Sequence, residues 1–419
     1  MRVARTRGLA LSVRGGGHDW AGRALCHDGL VIDLSLMREV TVDAATNTAT
    51  AAGGATAADV SAAISQHGLA AVTGNVGAVG MAGLLLGGGY GPLTTRFGLA
   101  LDNLLGAEVV LADGRLVTAD TSQNSDLFWA LRGGGGNFGL VTSMRLRLHP
   151  VGELLAGIIL FPWSDAESVL RGYAEIMASA PDELSVLAGL LPGSEGSPVV
   201  FIGPTWSGEH GHGQEVMVRL QSLGTPVLSQ IGPMSYTQVI GLYDAQVVDG
   251  RHYALKTRWL ADLTPDIISA VIAAGAARTS SLSFIAVHHF HGAGTQVAPD
   301  ATAFGLRRNH FLMEIVAAWD PVGKENGAIH RQWVSDLSSV LAPLALPGGY
   351  PNFLTLDDCE QFGSAYGSNA SRLRDLKRDT IPIVSFHQLY RCLPECCAKG
   401  RRRLADFIAV LSPPDVSFP

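Results

Sequence analysis

The sequence predicts an α+β protein with two kinds of layer, and three observations carry that reading. Residues 1–150 are rich in Gly, Ala and Val, with short apolar runs broken by glycines. From 151 to 345, helix-like stretches alternate with strand-like runs, the pattern of an antiparallel sheet covered by helices. Pro343, Pro347, Gly348 and Gly349 then mark a return to a short helical closing segment at 350–378.

The elements follow in chain order. Leu11–Val13, Leu30–Leu34 and Val109–Leu111 read as buried strands. Asp59–His67 has helical spacing and closes on Gly68, a residue suited to a helix end. Ala107–Val117 has the form of a hairpin, with Ala-Asp-Gly at its turn. Asp126–Leu131 reads as a helix, and Leu140–Leu148 as the strand closing the region before Pro150. Beyond it, helices are expected at Ala166–Ala180 and Pro265–Ala277, with strands at Ser281–Phe290 and Phe311–Trp319. His210 and His212, in a glycine-rich stretch, read as loop.

Composition narrows the function. The chain has 419 residues, 50 of them Gly, and its 30 Lys+Arg against 37 Asp+Glu leave a net charge of −7, which argues against a nucleic-acid binder. Five cysteines, an odd number crowded toward the C-terminus, are not a disulfide framework, so the expected compartment is the cytoplasm. No run reaches the roughly 18 apolar residues of a membrane span.

The glycines fall in four clusters, Gly15–Gly17, Gly53-Gly54, Gly87–Gly91 around Tyr90, and Gly133–Gly136. Consecutive glycines leave backbone N–H groups uncovered, a surface that cradles phosphates. Four such clusters beside strands point to a large phosphate-bearing cofactor lying across several loops. Gly134–Gly139 formally matches G-x-G-x-x-G, but a helix precedes it and a strand follows. That inverts the order a nicotinamide-binding fold requires. No phosphate-binding G-x-x-x-x-G-K-[ST] loop occurs.

Three segments carry a resemblance: Val13-Arg-Gly-Gly-Gly-His-Asp-Trp-Ala-Gly22, Gly87-Gly-Gly-Tyr-Gly91, and Asp126-Leu-Phe-Trp-Ala-Leu-Arg-Gly-Gly-Gly-Gly-Asn-Phe-Gly139. Together they look like the berberine bridge enzyme-like FAD-linked oxidases of the vanillyl-alcohol oxidase superfamily, and Tyr350-Pro-Asn-Phe353 resembles that family's C-terminal Tyr-x-Asn motif. The resemblance spans about residues 7–378. It implies a PCMH-type FAD-binding domain at 1–150, abbreviated at its start and completed by 346–378, around a substrate-binding domain at 151–345.

It also implies roles. His18 carries a covalent bond to the flavin, while Val76, standing where many relatives have a second linking cysteine, makes that attachment single. Arg14, Gly15, Gly16 and Gly17 contact the pyrophosphate, with Gly53, Gly54, Gly80 and Gly83, and Gly22 belongs to the same cofactor-binding set. Gly88, Gly89, Gly91, Gly139 and Val141 complete the cofactor set. Val79 occupies the position that gates oxygen, and its small side chain favours oxidase behaviour. Tyr350 is the expected general base and Asn352 its partner, on the same side if the segment is extended. The expected reaction takes hydride from an alcohol, amine, sugar or secondary metabolite, with O2 reoxidising the flavin.

His289 and His291 share a strand face with His288 opposite, too few groups for a metal site; pocket lining or ordinary sheet positions are the readings left. Trp206, Tyr236 and Phe304 are further pocket candidates. Residues 379–419 depart from the family's ending, as a frameshift near Arg378–Ile383 would explain. On that reading Cys392, Cys396 and Cys397 form no zinc site and Arg401–Arg403 no targeting signal. The rival expectation is a catalytically defective flavoprotein remnant, and a third is a dehydrogenase using an acceptor other than oxygen.

Overall fold

Two antiparallel sheets, each with its own hydrophobic core, organise the chain. The computed structural model describes residues 1–193, 196–321, 327–355 and 357–380. The expectations for the tail from 381 onward lie outside the described residues.

The first sheet has five strands in the order Val40–Asp43, Thr48–Ala52, Leu140–Arg147, Leu104–Val110 and Leu116–Asp120. Its core gathers Ala51, Val60, Leu85, Trp129, Met144 and Leu146, and residues from the far end of the chain, Leu354, Phe362 and Leu373, pack into it. A separate parallel pair, Ala10–Arg14 with Gly29–Asp33, carries the first glycine loop at its end. The expected hairpin is present, its strands bounded at Leu104–Val110 and Leu116–Asp120. The first long helix runs Ala57–Ser65, two residues earlier than the spacing implied. Thr56 and Asp59 form a reciprocal cap there, which fixes the start more firmly than apolar periodicity does. The helix Ser125–Leu131 does lead into the four-glycine run, and the strand Leu140–Arg147 follows it.

The second sheet has seven strands in the order Leu228–Met234, Leu154–Phe161, Pro198–Trp206, Leu184–Pro192, Phe284–Phe290, His310–Trp319 and His252–Leu260, all antiparallel neighbours. Period-two alternation splits its faces. Ile285, Val287, Met313 and Ile315 point into a core with the helices Ala166–Met177, Pro265–Ala276 and Ala328–Leu341. Phe284, Ala286 and Val316 point the other way, with Leu191 and Phe201.

His210 and His212 are not in a loop; they open the helix His210–Gln221. The Glu209 carboxylate caps it by accepting from Gly211 and His212 N–H. Glutamate is an uncommon cap, and the flanking glycines masked the helical start.

Candidate functional site

The open face of the seven-stranded sheet looks onto the glycine loops across a cleft of about 2210 Å³ of empty space, its mouth included. The expected residues Gly15, Gly16, Gly17 and His18 line it. So do Gly53, Val79, Gly80, Gly83, Gly139 and Val141, and from the returning segment Tyr350 and Asn352.

The other expected positions do not line it, and each has a packing reason. Arg14 turns outward to Asp33 at 3.2 Å, both half exposed. Gly22 closes a turn onto the Asp19 carbonyl. A side chain at Gly54 would lie 1.8 Å from the Leu34 carbonyl oxygen, and one at Gly91 1.8 Å from that of Thr73, so these glycines let backbones cross. Gly88 lies under the Tyr350 ring, and Gly89 donates its N–H to the Tyr350 hydroxyl at 2.9 Å.

The loop geometry fits a phosphate-bearing cofactor. Among the hydrogen bonds of the described residues, none is donated by the backbone N–H of Gly15, Gly16, Gly17 or His18. These donors border the cleft and suit an anionic ligand. Gly16 and Gly80 bring two loops into backbone contact: a β-carbon on Gly16 would sit 2.3 Å from the Gly80 nitrogen. Gly16→Ala is therefore expected to push the loops apart, destabilise the fold by about 1–3 kcal/mol and empty the cofactor site. The flavin-to-protein ratio of the purified variant, beside its thermal midpoint, checks this; wild-type values for both would refute it.

His18 is half-buried at the cleft, and burial lowers its pKa, with Asp249 and Asp244 pulling weakly upward. Tyr350 is buried, and its hydroxyl oxygen accepts from Gly89 N–H at 2.9 Å and from Asn352 Nδ2 at 3.1 Å. Asn352 also donates to the Gly83 carbonyl at 3.0 Å. The Tyr350–Phe353 segment is a turn rather than the extended chain assumed, closed by Phe353 N–H onto the Tyr350 carbonyl at 2.9 Å. The turn still brings the amide back to the phenol. Burial pushes the Tyr350 phenol up to about 12; the Gly89 and Asn352 donors oppose the shift, and Glu314 adds to it.

Sequence reading missed Glu314. It lines the cleft with His288, whose Nε2 lies 2.8 Å from the Glu314 carboxylate. On the other side of the imidazole, Asn75 Nδ2 is 3.3 Å from His288 Nδ1. With the amide as donor, His288 carries its proton on Nε2 and gives it to Glu314. His289 and His291 stack together away from the cleft at 4.4 Å, and His289 lies on Phe311 at 4.3 Å.

Trp206, Tyr236 and Phe304 do not line the cleft. Trp206 belongs to the helix-covered core and donates to the Glu209 carbonyl at 2.8 Å. Tyr236 is buried with its hydroxyl 2.7 Å from that of Thr73. Phe304 is buried against Tyr90 and Trp259. Among the described residues, no helix is long and apolar enough to cross a membrane.

The fold and its glycine loops define an FAD-binding oxidoreductase, and a family model described as FAD binding domain matches residues 1–120. Over most of its length the chain is similar to FAD-linked oxidoreductases, and it shares the fold of the berberine bridge enzyme-like proteins. It is similar to an FAD-linked oxidoreductase of Dictyostelium discoideum, 29% identical over 381 residues, 90% of this chain and 82% of the relative. Over 253 residues it is 37% identical to (R)-6-hydroxynicotine oxidase of Paenarthrobacter nicotinovorans, covering 58% of this chain and 54% of that one. The crystal structure of 6-hydroxy-D-nicotine oxidase from Arthrobacter nicotinovorans superposes with a TM-score of 0.80 at 28% identity, over 91% of this chain and 86% of the other. Berberine bridge enzyme from Eschscholzia californica shares the fold, with a TM-score of 0.79 at 22% identity over 91% and 84%.

Proposed function

We propose that the protein is an FAD-linked oxidase acting on a CH–OH or CH–NH group of a small molecule, with O2 as the electron acceptor. The observation that carries this reading is the convergence on one cleft of His18, Val79, the Tyr350–Asn352 pair and the His288–Glu314 pair. Residues 1–150 with 346–378 form the cofactor-binding unit and 151–345 the substrate-binding unit. Bound FAD supplies the two-electron chemistry, taking hydride from substrate carbon and passing two electrons to O2, which with two protons gives hydrogen peroxide.

The chain's own residues do the rest. The Gly15–Gly17 N–H groups hold the cofactor's anionic part, and His18 makes the single covalent link. Burial favours neutral imidazole at His18, the form whose nitrogen has a free lone pair for bond formation. Tyr350 Oη accepts the substrate proton, its developing charge held by Gly89 N–H and Asn352 Nδ2. A second reading gives the proton to Glu314. It is favoured by the rise of the Tyr350 pKa to about 12 and by the His288 contact that already holds the carboxylate in the cleft.

His18→Ala is expected to abolish in-gel flavin fluorescence after denaturing electrophoresis, where the wild-type band fluoresces; a dark wild-type band removes the covalent role. Peroxide release in air tests the oxidase reading. Flavin that substrate bleaches anaerobically but air reoxidises slowly marks a dehydrogenase instead, and a colourless protein marks a remnant without the cofactor.

A further inference from the structure

Several polar side chains that line the cleft are already paired within the protein. Asp19 and Arg23 form an ion pair, and Arg23 also donates to the Asn352 carbonyl at 3.1 Å. Asn75, His288 and Glu314 make a chain of contacts, and Asn352 meets Tyr350. Tyr243 is different. It lines the cleft and is only 9% exposed, yet among the described residues its hydroxyl makes no hydrogen bond. The residue is held from both sides. The helix Tyr236–Ile240 before it starts at the reciprocal cap of Ser235 and Gln238, and the next residue, Asp244, accepts from Gly77 N–H at 3.0 Å. The ring packs on Phe201 with centroids 6.1 Å apart, and the hydroxyl stands over Gly203 of the same strand. A β-carbon on Gly203 would lie 1.7 Å from that oxygen, so the glycine leaves the room in which the hydroxyl stands. Tyr243 also borders a smaller space of about 420 Å³, walled by Thr94, Ser185 and Thr205. Burial alone raises the Tyr243 pKa, so the phenol keeps its proton and can donate it to a hydrogen bond near neutrality.

Resting on the function proposed above, we infer that Tyr243 is a specificity-determining residue whose hydroxyl donates a hydrogen bond to an acceptor oxygen of the substrate, a carbonyl, ether or hydroxyl oxygen. A buried O–H without a protein partner is costly to leave unpaired, and a ligand oxygen removes that deficit. A ligand of the same outline that lacks the oxygen seals the hydroxyl in unsatisfied, and the site rejects it for that reason. The side chains of Leu187 and Phe201, which line the cleft beside Tyr243, offer the oxygen no competing donor. Tyr243 takes no proton in this scheme. It selects what is bound, while the flavin and the groups named above carry the reaction.

The test is equilibrium binding to the purified holoenzyme, read from the visible flavin band and from the rise in thermal midpoint. The probes are 4-hydroxyacetophenone, which carries a carbonyl oxygen, and 4-isopropylphenol, which has a methyl group in its place. Tyr243→Phe keeps the ring and breaks no hydrogen bond among the described residues, so the unliganded midpoint is expected to stay at the wild-type value. The variant is expected to bind the ketone at least about tenfold more weakly and 4-isopropylphenol as the wild type does. Equal effects on both probes, or none on the ketone, overturn the inference; the hydroxyl then serves packing or a water molecule only. So does a wild type that binds 4-isopropylphenol as tightly as the ketone, or that shows no saturable ketone binding. A Tyr243→Phe protein that loses its fold or much of its midpoint shows that the hydroxyl has a protein partner, and that result overturns the inference as well. A colourless wild type refutes the FAD reading instead, and the thermal midpoints still compare the two probes.

Discussion

Tyr350→Phe is expected to lower turnover by roughly 10²–10⁴-fold while leaving a folded, yellow protein. The ring keeps its packing, edge-on to Tyr90 at 5.0 Å and to Phe353 at 4.9 Å. What disappears is the oxygen between Gly89 N–H and Asn352 Nδ2. Leaving a buried donor unpaired costs about 1–3 kcal/mol of stability, and Asn352 keeps its bond to the Gly83 carbonyl. Because burial holds the phenol up to about 12, only a small fraction is ionised near neutrality. If Tyr350 is the base, activity climbs with pH through the alkaline range, and the climb vanishes in the phenylalanine variant. Glu314→Gln gives the complementary result: it weakens substrate binding and turnover but preserves the alkaline climb. Stopped-flow flavin reduction across pH decides between the two acceptors. A Tyr350→Phe protein with wild-type turnover and pH profile ends the base assignment.

Two kinds of residue are legible in the sequence: glycines whose role needs no side chain, and His18, Tyr350 and Asn352, which stand inside short motifs. Gly15–Gly17 and Gly80 stand out because close approach and free N–H groups both demand glycine, whichever strand faces which. At Gly54 and Gly91 the pattern has a packing reason as well, since a glycine admitting another backbone reads like one admitting a cofactor. Glu314 illustrates the opposite failure. It is the one acid in the run His310–Trp319, and an acid inside an apolar strand is costly unless it is paired or used. That signal was present, but its meaning depends on His288 lying on the neighbouring strand, a pairing of residues far apart in the chain. Trp206, Tyr236 and Phe304 were indistinguishable from lining residues for the same reason. Aromatic character does not say which face of a sheet or which core receives the ring, and tertiary packing sent all three elsewhere.

Lowering the pH from about 6.5 to about 4 is expected to destabilise the protein steeply, with His310 as a principal cause. His310 is fully buried, and burial pushes its pKa down to about 4. Its Nδ1 lies 2.7 Å from the Arg308 carbonyl and must donate to it, so Nε2 accepts from the Tyr90 hydroxyl at 2.8 Å. The folded state keeps this imidazole neutral while the unfolded chain takes up a proton at its ordinary pKa. The stability is therefore complete above about 6.5 and is lost as the pH falls toward 4, to an upper bound on the order of 3 kcal/mol. His289, pushed down to about 3 by burial with His291 and His310 nearby, adds a loss in the same direction. Protonating His310 at Nε2 also forces the Tyr90 hydroxyl to stop donating there, and Tyr90 packs edge-on against Tyr350. Acid thus disturbs the ring beside the proposed base as it loosens the fold, and activity falls with stability. Thermal midpoints measured from pH 7 to pH 4 check this directly. His310→Gln, with an amide in place of a titrating ring, should start less stable but show a shallower acid slope. Equal slopes in the two proteins would show that His310 is not the linked group.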